Sequence, residues 1–449
     1  MYLLSEVKMN FRSIGILLFF CVGLLGFSQG RFIIENKKGS DKIRFKLINN
    51  LVVLPVEVNG IELSFLLDTG VSKLIMFNFL NVSDPLNIKE SETIFLRGLG
   101  EGKMVEALKS KNNVIKIGDA IKLNQDLYAI FNVDLDLSHR LGFPVHGIIG
   151  FDLFRDLVVE IKYSTQQIKL TVPEKYKSKT CRKCEVFNLE FYNGKPYINA
   201  DVGIEGKSIP VKLLIDSGGS DALWLFESEE LGIKSKEKFF YDFLGYGLNG
   251  SVYGKRSKID WISLKKFEFK NANVAYPDST SVIFAKKITN RNGSLAGNLL
   301  KRFNVVFNYQ KASVILKKNK YFKQGFSYNK SGVELAHNGF RLIKESHGQF
   351  LKVTDKLDNR VKTKEESSFK ISLKPEYVIV ELRKGSAAEK AGLQIGDVLL
   401  NINGKWLYQF SLQEIMQMFH GETGKKLRLH IERNGIPLKF NFALEDVFR

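Results

Sequence analysis

Two short segments of the chain repeat a pattern that can do acid–base chemistry. Leu66-Leu67-Asp68-Thr69-Gly70-Val71-Ser72 recurs as Leu214-Ile215-Asp216-Ser217-Gly218-Gly219-Ser220. In each, an alternating apolar stretch ends in a carboxylate, followed by a hydroxyl, a glycine and a second hydroxyl. One Asp-Thr-Gly says little, because strands often end in polar turns of this kind. Two carboxylates brought almost into contact are a different matter. Like charges about 3 Å apart cannot both ionise, so such a pair shares one proton and offers a base beside an acid. The base takes a proton from a water, the water attacks a carbonyl, and the acid protonates the developing oxyanion. That route calls for no cofactor and no metal, and whether Asp68 and Asp216 can follow it depends on what brings them together.

The elements that must position them repeat as well, and a repeat of this length decides the fold before any single motif does. Gly147-Ile148-Ile149-Gly150-Phe151-Asp152-Leu153 is echoed by Ser294-Leu295-Ala296-Gly297-Asn298-Leu299-Leu300, and the Asp-to-Gly spacing is 82 residues from Asp68 to Gly150 and 81 from Asp216 to Gly297. Further on, Val158-Val159-Glu160-Ile161-Lys162-Tyr163 parallels Val305-Val306-Phe307-Asn308-Tyr309. Period-two alternation, as in Val56-Glu57-Val58 and Phe267-Glu268-Phe269, is punctuated by Asn59-Gly60 and Asn193-Gly194 turns, so each unit is mainly β. Short helices are expected after Gly150 and after Gly297. The join falls at 172–184, a lysine-rich stretch containing Pro173. Between each aspartate and its glycine lies a glycine-rich hairpin: Arg97-Gly98-Leu99-Gly100-Glu101-Gly102 in the first unit, Gly245-Tyr246-Gly247-Leu248-Asn249-Gly250 in the second.

On these motifs, residues 45–317 resemble the lobes of pepsin-type and retropepsin-type aspartic peptidases, and the short units resemble retropepsins more. The resemblance implies a mainly β protein with two tandem retropepsin-like acid-protease lobes, 31–175 and 185–318, forming a pseudo-twofold bilobal unit. It implies that Asp68 and Asp216 form the dyad and that Thr69 and Ser217 brace the two loops against each other. Ser72 and Ser220 correspond to hydroxyls that hold the outer carboxylate oxygens. Gly70 and Gly218 would permit unusual torsions and close approach of the loops. Gly98, Gly100, Gly245, Tyr246 and Gly247 become flap candidates, parts of mobile hairpins that close over bound peptide. Tyr246 either touches substrate or is an ordinary surface aromatic. Substrate preference stays open.

From Gly332 onward the composition changes. Ala387-Ala388-Glu389-Lys390-Ala391-Gly392-Leu393-Gln394-Ile395-Gly396-Asp397-Val398 leads into Leu399-Leu400-Asn401-Ile402-Asn403-Gly404. This stretch resembles a bacterial-type PDZ domain (α+β, 330–446), with a helix ending at Gly392 and an Asn-Gly hairpin turn. PDZ domains add a peptide strand to a sheet edge and capture its terminal carboxylate on backbone amides. The binding loop is expected at Lys330-Ser331-Gly332-Val333-Glu334-Leu335, with residues 412–419 as the other groove wall. The charged stretch 355–370 reads as an exposed loop.

A chain of 449 residues fits about three domains of roughly 100–200 residues. With 44% hydrophobic residues and Phe 35 in excess there is apolar side chain for several β-rich cores, so wholesale disorder is excluded. The net charge of +19 is spread along the chain and accompanies no nucleic-acid motif, so no specific nucleic-acid partner is expected. Lys8 and Arg12 precede an apolar run at 14–27, then Ser28-Gln29-Gly30. Residues 1–29 read as a secretory signal peptide, the run being shorter than the ~20 residues of a membrane span. The mature chain is then expected in the periplasm, cell envelope or outside the cell, without a transmembrane segment. Cys181 and Cys184 lack two further ligands for zinc, and in an oxidising compartment a local disulfide is favoured over free thiols. The function these features imply is an exported aspartic endopeptidase, monomeric in its catalytic unit, acting on protein or peptide substrates. Its PDZ domain would take a C-terminal peptide and recruit substrates. The competing class is a catalytically inactive peptide-binding scaffold of the cell envelope, which the intact aspartates and hydroxyls argue against.

Overall fold

The computed structural model describes residues 30–77, 91–131, 137–178, 181–287, 290–354 and 361–448; the proposed signal peptide lies outside them. The chain is predominantly β, with helices of one or two turns. No helix among the described residues is long and apolar enough to cross a membrane.

In the first unit, Leu51–Val58 and Ile61–Leu67 form a hairpin around Asn59-Gly60, both at positive φ. Ile61–Leu67 then runs parallel to Gly147–Ile149, which is antiparallel to Leu74–Met76, which is parallel to Ala120–Ala129. Val105–Ile117 and Ser91–Leu96 complete the order. The second unit reproduces it strand for strand. Its hairpin Lys195–Ile204 with Lys207–Asp216 leads to Arg291–Ala296 in parallel, then Leu223–Leu225, Asn273–Pro277, Gly250–Lys258 and Phe240–Gly247. Each Asp-bearing strand lies inside its sheet and is buried on both faces: Phe65, Leu66 and Leu67, like Leu213, Leu214 and Ile215, are all core. Burial on both faces at the strand end explains why the alternation closes in three consecutive apolar residues before each aspartate.

The parallel pairings fix what lies beside the aspartates. Leu67 is in register with Ile149 and Asp216 with Ala296, so the segments ending in Gly150 and Gly297 emerge next to the two loops. The expected helices follow, as Phe151–Asp156 and Gly297–Leu300.

A third sheet joins the units, in the order Ser40–Arg44, Gln167–Thr171, Val158–Lys162, Phe303–Asn308, Ser313–Lys318, Cys184–Asn188. The two runs that echo each other in sequence are its central pair, with Glu160 opposite Val306. Buried side chains continue from Phe32 through this sheet to Leu316 as one core. Each such large apolar side chain contributes about 1.5–3 kcal/mol, and the core they build is shared by the two units. The Cys181–Cys184 disulfide is formed, with the Cα atoms 5.4 Å apart.

The C-terminal region has its own core around Val333, Leu399, Ile415, Phe419 and Leu429. Helix Leu412–Phe419 starts on a capping box made by Ser411 and Glu414. One expectation is corrected here: residues 361–370 are strand, not loop. Val361–Leu382 pairs with Val333–Thr354 in a long ribbon. Charge does not abolish a strand that can pair it across the ribbon, as Glu345 does with Lys374 at 3.3 Å.

Candidate active site

Asp68 and Asp216 stand at the ends of equivalent strands, where the chain turns out of each sheet. The loops that follow are locked together. The Thr69 amide donates to Ser217 Oγ at 3.0 Å and the Ser217 amide to Thr69 Oγ1 at 3.1 Å. The hydroxyls donate onward, Thr69 to the Ile215 carbonyl at 2.6 Å and Ser217 to the Leu67 carbonyl at 2.8 Å. Each hydroxyl thus uses its donor and an acceptor site on the opposite loop. Both residues are sealed from water, Thr69 at 0% and Ser217 at 1% exposure.

The glycines let the carboxylates approach. A Cβ on Gly218 would fall 2.3 Å from Asp68 Oδ2, and one on Gly70 would come within 3.5 Å of Asp216 Oδ1. Neither glycine lies at positive φ, so close approach and not unusual torsion is what requires them. Their amides cap the acids: Gly70 N–H donates to Asp68 Oδ1 at 2.6 Å, and Gly218 N–H to Asp216 Oδ1 at 3.1 Å. Ser72 and Ser220 do not play their expected part, since neither hydroxyl bonds a carboxylate among the described residues. The Ser220 side chain is exposed, and its carbonyl accepts Asn50 Nδ2 at 2.8 Å.

Burial pushes the pKa of both acids up, and the neighbouring charge of Asp216 pushes Asp68 further. Two cations oppose the shift, neither anticipated from sequence. Arg291 and Lys195 both favour the charged form of Asp216, and Lys195 that of Asp68. Arg291 is buried, its guanidinium donating to the Gly293 carbonyl and to Ser294 Oγ at 2.8 Å. Lys195 follows the Asn193-Gly194 turn, which packs on the Phe151 ring beside the first loop. Burial holds the Lys195 pKa below its ordinary value. A lysine directly after a hairpin turn reads as solvated surface, so nothing in the sequence marked it.

The glycine-rich segments are hairpin tips, and the two tips cross. Leu99 of the first packs among Phe226, Val282 and Ala285 of the second unit, while Leu248 of the second packs on the first unit's cluster of Leu96, Val105 and Val71. Asn249 sits at the crossing. Its amide donates to the Leu99 carbonyl at 2.9 Å and its carbonyl accepts Gly102 N–H at 2.8 Å. Its side chain accepts from Gly98 N–H and donates to the Lys103 carbonyl. A Cβ on Gly98, Gly100 or Gly247 would strike the facing hairpin at 2.6, 2.6 or 2.2 Å, which explains the glycine punctuation. Gly245, at φ 155°, stands at the register break of the second hairpin. Tyr246 lies under the Arg140 guanidinium, 4.8 Å from its ring, and faces a cleft of about 680 Å³ shared with Met104, Phe131, Leu248 and Asn249. The aspartates do not line that cleft.

The loop expected to bind a PDZ ligand is turned inward. Val333 and Leu335 belong to the domain core, so their side chains do not face a groove. Burial, with the charge of Asp242 close by, pushes the Glu334 carboxyl up to about 7.

Comparison with known proteins identifies residues 378–433 as a PDZ domain. Over this region the chain is similar to the carboxy-terminal processing protease CtpA of Bacillus subtilis, 36% identical over 61 residues, and to protease RseP of Yersinia pestis, 41% identical over 63 residues. These matches cover 14% of this chain and 13–14% of the relatives' own lengths. Among solved structures, an aspartic proteinase from Irpex lacteus aligns with 64% of this chain and 99% of its own, at 11% identity and a TM-score of 0.38.

Proposed function

We propose that the chain is an exported aspartic endopeptidase in which two tandem retropepsin-like lobes form one catalytic unit and the PDZ domain recruits or positions protein substrates. The observation that carries the reading is the reciprocal brace of Thr69 and Ser217. It ties together the loops that carry Asp68 and Asp216, in two units with the same strand order. Burial raises both acids and the charge of Asp216 raises Asp68 further, which favours one shared proton. The ionised member takes a proton from a water held between them. That water attacks the peptide carbonyl, and the protonated member donates to the oxyanion. The crossed flaps would close over an extended peptide and exclude water. Export rests on the apolar run at 14–27 and agrees with the Cys181–Cys184 disulfide, since such bonds persist in oxidising compartments.

The test is cleavage of a peptide library by the protein from acid to neutral pH, beside Asp68→Asn and Asp216→Asn. Cleavage that either substitution abolishes supports the reading. Peptide binding without cleavage at any pH would overturn it in favour of an inactive scaffold.

A further inference from the structure

A loop that captures a chain-terminal carboxylate must offer free amides. Here those amides are already taken. Asn329 Oδ1 accepts the Ser331 amide at 3.0 Å, the Gly332 amide at 3.2 Å and the Ser331 hydroxyl at 2.8 Å. Ser331 Oγ accepts the Val333 amide at 3.0 Å, and Asn329 Nδ2 donates to the Val333 carbonyl at 2.7 Å. Asn329 Oδ1 thus takes the amides that a terminal carboxylate would need. The Lys330 amide donates to the Phe419 carbonyl, which places this loop at the C-terminal end of helix Leu412–Phe419. At the other end of that helix the first unit leans in. Helix Leu137–Leu141 packs on the strand Val333–Thr354, and a Cβ on Gly142 would come within 2.8 Å of the Leu412 side chain. The protein's own residues thus cover both ends of the groove expected beside helix Leu412–Phe419.

Both occupants are tied to the second flap. Arg383 donates from its amide to the Gly332 carbonyl at 2.8 Å and from Nη2 to the Asn329 carbonyl at 3.0 Å, while Nη1 lies 3.8 Å from Asp242 of the flap. Asp242 meets Arg256 at 3.1 Å, and Arg256 meets Asp221 at 2.7 Å, in the loop that begins at Asp216. Arg140, on the helix that packs against the groove, pairs with Glu381 at 3.3 Å and covers the flap residues Phe243 and Tyr246 at 4.7 and 4.8 Å. The side chains of Arg383, Asp242, Arg256 and Asp221 are 8, 16, 13 and 19% exposed. A partner lost from such a buried chain leaves a charge that water does not compensate, so a change at one end is felt at the next.

We propose that this groove is a self-occupied receptor for protein C-termini. An incoming terminal carboxylate displaces the Asn329 side chain and helix Leu137–Leu141, and so releases the second flap through Arg383 and Arg140. The consequence for catalysis rests on the peptidase reading; the binding step does not.

The test uses the full chain and fluorescein-labelled hexapeptides ending in Val, Leu or Phe, each as free acid and as C-terminal amide. Anisotropy measures their affinity for wild type, Asn329→Ala and Arg140→Ala, and hydrogen exchange follows residues 240–258. Asn329→Ala should bind at least one free acid tenfold or more tightly than wild type, with no gain for the amides. The bound acid should speed exchange across 240–258. Equal affinities in wild type and variant, a gain shared by the amides, or unaltered exchange would each overturn the proposal. Should Asn329→Ala fail to fold, Arg140→Ala decides, since freeing the helix must also raise free-acid affinity. Neither readout depends on peptide-bond cleavage, so failure of the peptidase reading would show separately, as binding and flap release without hydrolysis.

Discussion

The turn ahead of the Asp-bearing hairpin is Asn49-Asn50 in the first unit and Asn193-Gly194 in the second, both at positive φ. The residue after it is Leu51 in one and Lys195 in the other. Leu51 is buried in an apolar cluster, whereas Lys195 carries an ammonium into the field of both carboxylates. Arg291 stands three residues before Ser294, where the first unit has Pro144 before Gly147. Around the brace the units are interchangeable, because each loop satisfies the donors and acceptors of the other. A few residues away they diverge in charge, and both cations come from the second unit. A brace needs symmetry, but a shared proton gains from the lack of it. Asp216, which both cations favour in its charged form, is expected to be the ionised base, and Asp68 the acid.

The harshest way to break this comparison is to neutralise one acid. Asp68→Asn and Asp216→Asn should each lower kcat/KM by roughly three orders of magnitude or more, the scale of general acid–base contributions. Stability should move the other way. Both acids have folded pKa values raised above the unfolded carboxyl range, so the fold binds protons more tightly than the unfolded chain. Their stabilising effect is fully present below pH 4 and is lost as pH rises through the folded values. Calorimetry across pH should therefore find the Asn variants with a higher Tm than wild type at pH 7–8 and no such gain at pH 3–4.

Next in size is the brace itself. Thr69→Val strands the Ser217 amide and the Ile215 carbonyl in a dry site, and Ser217→Ala strands the Thr69 amide and the Leu67 carbonyl. Each should cost about 2–4 kcal/mol in urea unfolding, at about 1–3 kcal/mol per buried group left unpaired. The double variant should cost less than the sum, because both substitutions dismantle one shared network. Strict additivity would mean that the loops do not depend on each other.

A smaller effect is expected at the flap crossing. Asn249→Ala removes two of the four bonds Asn249 makes there, so the amide of Gly98 should lose protection in hydrogen exchange tenfold or more. The Gly102 amide, held by the Asn249 backbone, should lose less.

What was legible in the sequence follows from which forces act locally. The two mainly β units and the short helices after Gly150 and Gly297 were readable because the repeat writes each of them twice, whereas the brace at Thr69 and Ser217 came from the resemblance and the strand order only from the structure. The central sheet was half legible: the paired runs at 158–163 and 305–309 were visible, but not that they would pair with each other. Lys195, Arg291 and Asn249 were invisible because each acts on residues remote in the chain, and a lone lysine, arginine or asparagine carries no period. Ser72 and Ser220 misled for the opposite reason, since their position in the motif is right but glycine amides already cap the carboxylates. The ribbon through 361–370 was missed because a charged stretch reads as loop, whereas its backbone pairs with residues 345–354.

The gentlest test makes the two units alike at the residue where they differ. Lys195→Leu gives the second turn the side chain that the first already has. Removing a positive charge from the field of both carboxylates makes the first proton harder to lose, so the acid limb of the pH profile should move to higher pH. Because Lys195 forms no ion pair with either acid among the described residues, the displacement should stay below the roughly 1–3 units of a contact pair. It should also shrink as salt is added, as through-space interactions do where solvent reaches them. An acid limb that stays in place, with kcat/KM at its plateau unchanged, would mean that Lys195 is already neutral beside Arg291. The splitting of the dyad would then rest on Arg291 alone.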